Sequence, residues 1–425
     1  MARSLQAPRL PLHPVVKATG WVSLLTDLGS EIIYPLLPDF VTGTLRAPKV
    51  VLGLIEGLAE GTPALVKYVS GLMADRARSR KWLMLVGYGV SSAAKPLLGL
   101  AQTMSLAVAP FFVLGLRLTD KLGKGIRGAP RDALVADHAE GHQGRAFGYQ
   151  RAMDHAGAVA GGLVAFVLVG LFEISIGWAA VFAVIPGIAT LWVILAFVNE
   201  DRRTRPAGSE TKAPAAHAPL SRAFWLYAVA ATLFALANSS DAFLILRARE
   251  MGLSLAAIPM AWALLHVVKA LTSLAGGTLS DRMGRRPLLL TGWVLYAAVY
   301  AGFAALSSEI AAWLLFPLYG VFYGATEGVA KAFVADLVPA GSRGRAFGLL
   351  GMLEGLVLIP TSVAIGWIWD QQGNGQAALL VESALAVAAA LWLLLLVRRP
   401  TPMEQPLGPA GSRLIDGPPS RTGPC

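Results

Sequence analysis

Apolar stretches long enough to cross a bilayer recur along the chain, separated by short polar breaks. The plainest are residues 177–198, 287–306 and 377–397. Each is close to the ~20 residues that a helix rising ~1.5 Å per residue needs to cross ~30 Å of hydrocarbon. The pattern predicts twelve helices, over residues 17–42, 48–72, 82–101, 105–131, 143–172, 175–198, 222–247, 254–280, 287–306, 309–337, 342–369 and 374–397. Strand-like alternation is absent, so the expected class is all-α integral membrane. Two segments carry no sustained apolar period. Residues 199–221 read as a cytoplasmic linker and 398–425, rich in Pro, Gly and Ser, as a disordered cytoplasmic tail. They bound an N-terminal bundle over 1–198 and a C-terminal bundle over 222–397.

Composition agrees with a membrane protein. Of 425 residues, 55% are hydrophobic and 15% charged, against ~25% charged in soluble domains, and the mean hydropathy is +0.58. The net charge of +10 would raise the question of nucleic acid in a soluble protein, but its placement answers differently. Lys and Arg crowd alternate loops, at Arg76 to Lys81, Arg202 to Lys212, Arg282 to Arg286, and Arg343 with Arg345. The positive-inside rule then puts both termini in the cytoplasm of a multi-pass protein of the inner (plasma) membrane. Arg46, Lys49, Arg247 and Arg249 stand on the wrong side of this pattern. The first apolar stretch holds Asp27 and Glu31, which argues for a retained helix rather than a cleaved signal. The single cysteine, Cys425, excludes an intrachain disulfide. No Cys/His/carboxylate spacing suggests a metal, and no cofactor motif or nucleophile elbow suggests an enzyme. A monomer in the bilayer is expected, with a small molecule and protons as partners and no nucleic acid.

The chain also repeats itself. GLMADRARSRK from Gly71 matches GGTLSDRMGRRP from Gly276, placing Asp75 opposite Asp281. Further along, VADHAEGHQGRAFG matches VADLVPAGSRGRAFG. These matches pair Asp137 with Asp336 and, beyond the GRAFG boxes, Asp154 with Glu354. A duplicated six-helix unit predicts two pseudo-symmetric bundles.

The two loops, between the second and third helices of each half, resemble the signature of the major facilitator superfamily, which has the form G-x-x-x-D-R-x-x-R-R/K. The resemblance implies two six-helix bundles about an axis along the membrane normal, a substrate site between them near mid-membrane, and alternating access. It also implies a latch. Gly71 and Gly277 allow close helix approach, and Asp75 and Asp281 cap helices of the opposite half. Arg76 and Arg282, or later arginines such as Arg285, hold Asp137 and Asp336. In the fifth helix Gly148, Gly157 and Gly161 follow the opening of a glycine pattern found in drug-efflux members. Gly162 stands where that pattern has a proline, and tight packing explains such glycines equally well.

The stretch RLTDKLGKGIRGAPRDALVAD, residues 117–137, is oddly charged for a membrane helix. Arg117, Lys121, Lys124, Arg127 and Arg131 step by four, three, three and four, so they share one helix face. Each would cost ~2.5–3.5 kcal/mol facing lipid at mid-membrane, so the stripe must face water or counter-charges. GKGIRGAP lacks the spacing and the preceding strand of a phosphate loop. Candidate substrate contacts are Arg117, Lys121 and Lys124, with Tyr319, Tyr323 and Glu327 on the repeat-related tenth helix; Glu327 and Lys331, one turn apart, are expected to satisfy each other. Asp27, Glu31 and Asp241 are the candidate proton-coupling acids, since Asp241 falls near the repeat position of Glu31. The alternative is that these acids form permanent pairs with Arg117 or Lys121. Glu56 and Glu60 lie one turn apart on the second helix, and His266 shares a face with Trp262 and Lys269. The expected function is a proton-coupled exporter, an antiporter, of a small organic compound with anionic character. The alternatives are a proton symporter importing an anionic metabolite and, from another class, a channel or membrane sensor.

Overall fold

In the computed structural model, which describes residues 12–76, 79–139, 143–199, 219–339 and 342–397, twelve helical passes account for the apolar pattern. The N-terminal half contains α1 (Pro14–Glu31), α2 (Lys49–Arg76), α3 (Arg80–Leu97), α4 (Ala109–Asp137), α5 (Gln143–Phe166) and α6, built from Ile176–Val181 and Val184–Phe197. The C-terminal half contains α7, built from Arg222–Ala237 and Ala242–Glu250, then α8 (Ala257–Met283), α9 (Arg285–Ala305), α10 (Glu309–Leu337), α11 (Arg343–Gln372) and α12 (Gln376–Leu396). No strand occurs among the described residues. Seven of these passes are apolar enough to count as spans on composition alone. The rest, α4 above all, carry charges that face inward. Large apolar side chains such as Trp192, Ile188, Leu314 and Leu395 cover the outside, as a lipid belt requires.

Three of the departures from the sequence expectation have a clear local reason. The first helix, expected over 17–42, stops at Glu31 and continues as short 3-10 and π turns through Thr44, because Pro35 and Pro38 remove backbone donors. The fourth runs from Ala109 to Asp137 instead of 105–131, and its added last turn carries Asp137 to Arg80. The seventh is broken at Asn238–Asp241. Asn, Ser, Ser and Asp compete for backbone hydrogen bonds, and the freed amides are satisfied from outside the helix. Ser239 N–H donates to Glu382 Oε1 at 2.9 Å and Ser240 N–H to Ser362 Oγ at 3.3 Å. Unwound backbone at this depth is tolerated where protein or a cavity receives it.

The halves meet along two helix pairs, α2 with α11 and α5 with α8. Glycine sets both contacts. A Cβ on Gly53 would lie 2.1 Å from the Ser362 carbonyl oxygen, and one on Gly366 would lie 2.4 Å from that of Lys49. These contacts lie at the end of the bundle opposite the termini. Towards the termini the pairs separate, and a Cβ added to Gly148, Gly348 or Gly351 would meet nothing within 4 Å.

Candidate functional site

At mid-height between the halves lies a polar cavity of about 290 Å³. The stripe on α4 forms one wall. Arg117 is 6% exposed and grips Glu56 of α2 side-on, Nε to Oε1 and Nη2 to Oε2, both at 2.9 Å. One turn along, Lys121 pairs with Glu60. Two cations four residues apart thus meet two acids four residues apart on the neighbouring helix, and each pair removes the cost of an isolated buried charge. Asp120 receives Ser91 Oγ–H and sits 3.9 Å from Lys95 Nζ and 3.8 Å from Arg117 Nη1. Arg127 lies over the Tyr88 ring, 4.1 Å from its centroid, a cation–π contact.

The opposite walls hold acids whose partners are neutral. Glu31 accepts a hydrogen bond from Trp262 Nε1–H at 2.8 Å, across the interface between halves. Asp241, at the break in α7, accepts from Tyr319 Oη–H at 2.6 Å and Tyr323 Oη–H at 2.9 Å. Asp27 lines the same cavity. Among the described residues no Lys or Arg nitrogen lies within 4.0 Å of these three carboxylates, and none of the carboxylates lies within that distance of Lys124. Lys124 is exposed to the cavity.

The cavity therefore gathers Arg117, Lys121, Lys124, Asp27, Glu31, Asp241 and Tyr323 from residues far apart in the chain. Tyr319 is fully buried and acts on the cavity through its bond to Asp241. Glu327 lies elsewhere. It pairs with Lys269 at 3.3 Å and, across the interface, with Arg151 at 3.2 Å. In this state Arg117 and Lys121 pair with Glu56 and Glu60, leaving Asp27, Glu31 and Asp241 outside such pairs. The matched i,i+4 spacing of acids on α2 and cations on α4 was the available sequence signal. Lys95, a cation deep in an apolar helix, and Glu382, a lone acid in another, carried the same kind of signal. His266 borders the cavity with both ring nitrogens buried and unpartnered.

The signature loops are described in part. Gly71, Asp75, Arg76, Gly277 and Asp281 lie outside the residues whose side chains are described. Arg282 is exposed. Asp137 pairs with Arg80 and Asp336 with Arg285, each within its own half. Gly157 and Gly161 pack α5 on α1, with Cβ positions 2.2 Å and 2.6 Å from the Leu24 and Leu28 carbonyl oxygens, and Gly162 packs against Pro259. Among the described residues no set of three His, Cys, Asp or Glu side chains could hold a metal. The linker 200–218 and the tail from 398 lie outside the described residues.

Comparison with known proteins agrees with this architecture. The family model described as Major Facilitator Superfamily matches residues 19–268 and 246–417. An uncharacterized transporter of this type from Methanocaldococcus jannaschii is 33% identical over 381 residues, covering 88% of this chain and 93% of its own. A multidrug resistance protein, MdtH of Cronobacter sakazakii, is 29% identical over 165 residues, 37% of this chain and 40% of its own. The solved D-xylose-proton symporter shares the fold with a TM-score of 0.72 at 15% identity, covering 91% of this chain and 98% of that one. With both halves matched by the family model and a relative aligned over most of its length, the chain belongs to the Major Facilitator Superfamily and is a membrane transporter rather than an enzyme.

Proposed function

We propose that this transporter is proton-coupled, works by alternating access between its two bundles, and exports a small organic compound by antiport. The observation that carries the reading is the separation of charges in the central cavity. Arg117–Glu56 and Lys121–Glu60 are fixed pairs, whereas Asp27, Glu31 and Asp241 meet only neutral donors or none within ion-pair distance. Fixed pairs hold the bundle. A carboxylate held by Trp or Tyr donors has no permanent counter-charge, so its protonation state responds to whichever side it is exposed to. Glu31 reaches across to Trp262 and Asp241 sits on a helix break, so both lie where relative motion of the halves changes their surroundings.

The described basic residues Arg80, Arg282, Arg285 and Arg343 lie at the end where the halves stand apart, and the positive-inside rule makes that end cytoplasmic, with both termini. The state seen is then inward-facing. One chain supplies both halves and the cavity, so a monomer suffices as the working unit. The multidrug relative supports export. A second reading, symport of an anionic metabolite, rests on Lys124. An enclosed cavity of low dielectric disfavours net charge, so an anion beside Lys124 enters more easily together with a proton.

Purified protein in proteoliposomes under an imposed pH gradient, challenged with organic anions, cations and metal complexes, separates the readings. Antiport gives substrate movement opposite to the proton and symport gives movement with it. Glu31→Gln and Asp241→Asn should abolish proton flux while substrate exchange persists. Substrate-dependent proton flux left intact in both variants overturns the assignment of the coupling group.

A further inference from the structure

Glu382 is a buried acid that takes no part in lining the central cavity. It lies on α12, whose buried face is mostly Ala and Leu, with Leu379, Ala386, Ala389 and Leu393 on it. Its side chain is 0% exposed. Oε1 accepts the Ser239 N–H at 2.9 Å, and Oε2 has no hydrogen-bond partner. Burying a carboxyl group in apolar surroundings costs free energy unless hydrogen bonds offset it. An acid at this place therefore does something that Leu or Ala cannot, and accepting a freed backbone amide is such a task.

The amide belongs to the break in α7. In an unbroken helix the Ser239 N–H would bond to Ala235 O. Here Ala235 O takes the Asn238 N–H instead, and the Ser239 N–H turns to α12. Three helices of the same half hold the break open. Glu382 of α12 accepts the Ser239 N–H, Ser362 of α11 accepts the Ser240 N–H at 3.3 Å, and Tyr296 of α9 donates its Oη–H to Ala237 O at 2.6 Å. Of the two acceptors on freed amides, Glu382 makes the shorter bond. Asp241 follows directly, lines the cavity and meets Tyr319 and Tyr323. The other half touches the break as well, since Ser240 Oγ–H reaches Glu56 Oε2 at 3.4 Å.

A rewound α7 would aim residue 241 elsewhere. Residues four and seven apart share a helix face, so 241 would align with Ala237 and Phe234. Those two are 0% and 9% exposed, and Phe234 stacks on Trp293 of α9 with ring centroids 4.6 Å apart. Asp241 would turn from the cavity into the packing against α9. We propose that Glu382 is a positioning residue: by accepting the Ser239 N–H it keeps α7 unwound and so points Asp241 into the cavity. Its importance for transport rests on the reading of Asp241 as a coupling acid. The acceptor oxygen of Glu382 does this, not its charge.

The test asks where residue 241 points and needs no substrate. Asp241→Cys in a Cys425→Ser background is labelled with a charged methanethiosulfonate, and Ser30→Cys, on α1 at the same cavity, reports access alone. An unpaired buried amide shifts a local equilibrium roughly tenfold or more, so adding Glu382→Leu should slow labelling of Asp241→Cys by about that factor and leave Ser30→Cys unchanged. Glu382→Gln keeps the acceptor oxygen and should label at the parent rate. Hydrogen exchange over residues 238–241 is the second measurement, slow in the parent and in Glu382→Gln, fast in Glu382→Leu. Labelling of Asp241→Cys indifferent to Glu382→Leu overturns the proposal, as does Glu382→Gln behaving like Glu382→Leu, or equal slowing at both cysteines. Should Glu382→Leu fail to fold, fast exchange of the Ser239 and Ser240 amides in the parent still overturns it. Positioning upheld while Asp241→Asn leaves proton flux intact would remove the coupling assignment alone.

Discussion

The two ends of the molecule are built differently, and the difference defines the state it occupies. At the end away from the termini the halves are stitched together. Asp370 of α11 accepts the Lys49 and Val50 N–H groups at the start of α2, at 3.0 Å and 2.9 Å, an anion at a helix N-terminus where free amides favour it. Beside it Arg249 of α7 pairs with Asp39 at 3.0 Å. At the terminal end the pairs Arg80–Asp137 and Arg285–Asp336 each stay within one half. Closure at one end is made of contacts between halves; at the other the helix-end pairs brace each half alone, and the halves meet deeper in, at Arg151–Glu327. Partners also account for three of the four basic residues on the wrong side of the charge pattern. Lys49 and Arg249 have acids from the opposite half, and Arg247 is buried against Glu250 at 2.9 Å.

The largest effect is expected where the two ends meet, at the fixed pair of the cavity. Glu56 is wholly buried, and Glu56→Gln strands the Arg117 guanidinium. Breaking such a pair costs about 3–5 kcal/mol, so the melting temperature should fall sharply, with partial recovery in the double variant Glu56→Gln/Arg117→Gln. A single variant as stable as the parent would mean that the pair does not hold the bundle.

Next come the stitches of the sealed end. Asp370→Ala removes two charge-assisted hydrogen bonds, each worth about 1.5–3 kcal/mol when fully buried and less at this partly exposed carboxylate, and nothing equivalent at the open end. The balance between states should shift roughly 10- to 100-fold towards opening of the sealed end. A cysteine placed at Val51, in a Cys425→Ser background, reports it through faster labelling from the side opposite the termini. Unchanged labelling would place the seal elsewhere.

Much of this was legible in the sequence. The spans, the duplication and the charged face of α4 follow from periodicity, because a bilayer leaves the backbone few choices. The gathering of Asp27, Glu31, Asp241 and Lys124 was legible as a set of charges too costly to face lipid. Pairing was not. Which acid meets Arg117 depends on the rotation of α2 against α4, fixed by packing such as Gly125 of α4 on Val66 of α2, and no single-helix pattern carries that angle. Asp370 gave no signal because it follows an apolar run near a turn, where an acid is ordinary. The break in α7 was written in Asn238–Asp241, yet the apolar flanks on either side read as one continuous helix.

The smallest structural effect, and the sharpest contrast, comes from paired glycines on α2 and α11. Gly53→Ala at the sealed end would drive a methyl into the Ser362 backbone, which cannot move aside without parting the helices; overpacking of this kind costs about 1–3 kcal/mol. Gly351→Ala at the open end meets nothing within 4 Å, so the stability of this state should change by less than about 0.5 kcal/mol. Yet alternating access requires the open end to close, and α11 must then approach the other half there. Gly351→Ala should therefore leave melting temperature and substrate affinity unchanged while slowing turnover in proteoliposomes several-fold. Turnover equal to the parent would show that α11 at Gly351 stays clear of the other half throughout the cycle, and closure would have to be made by α5 and α8 instead.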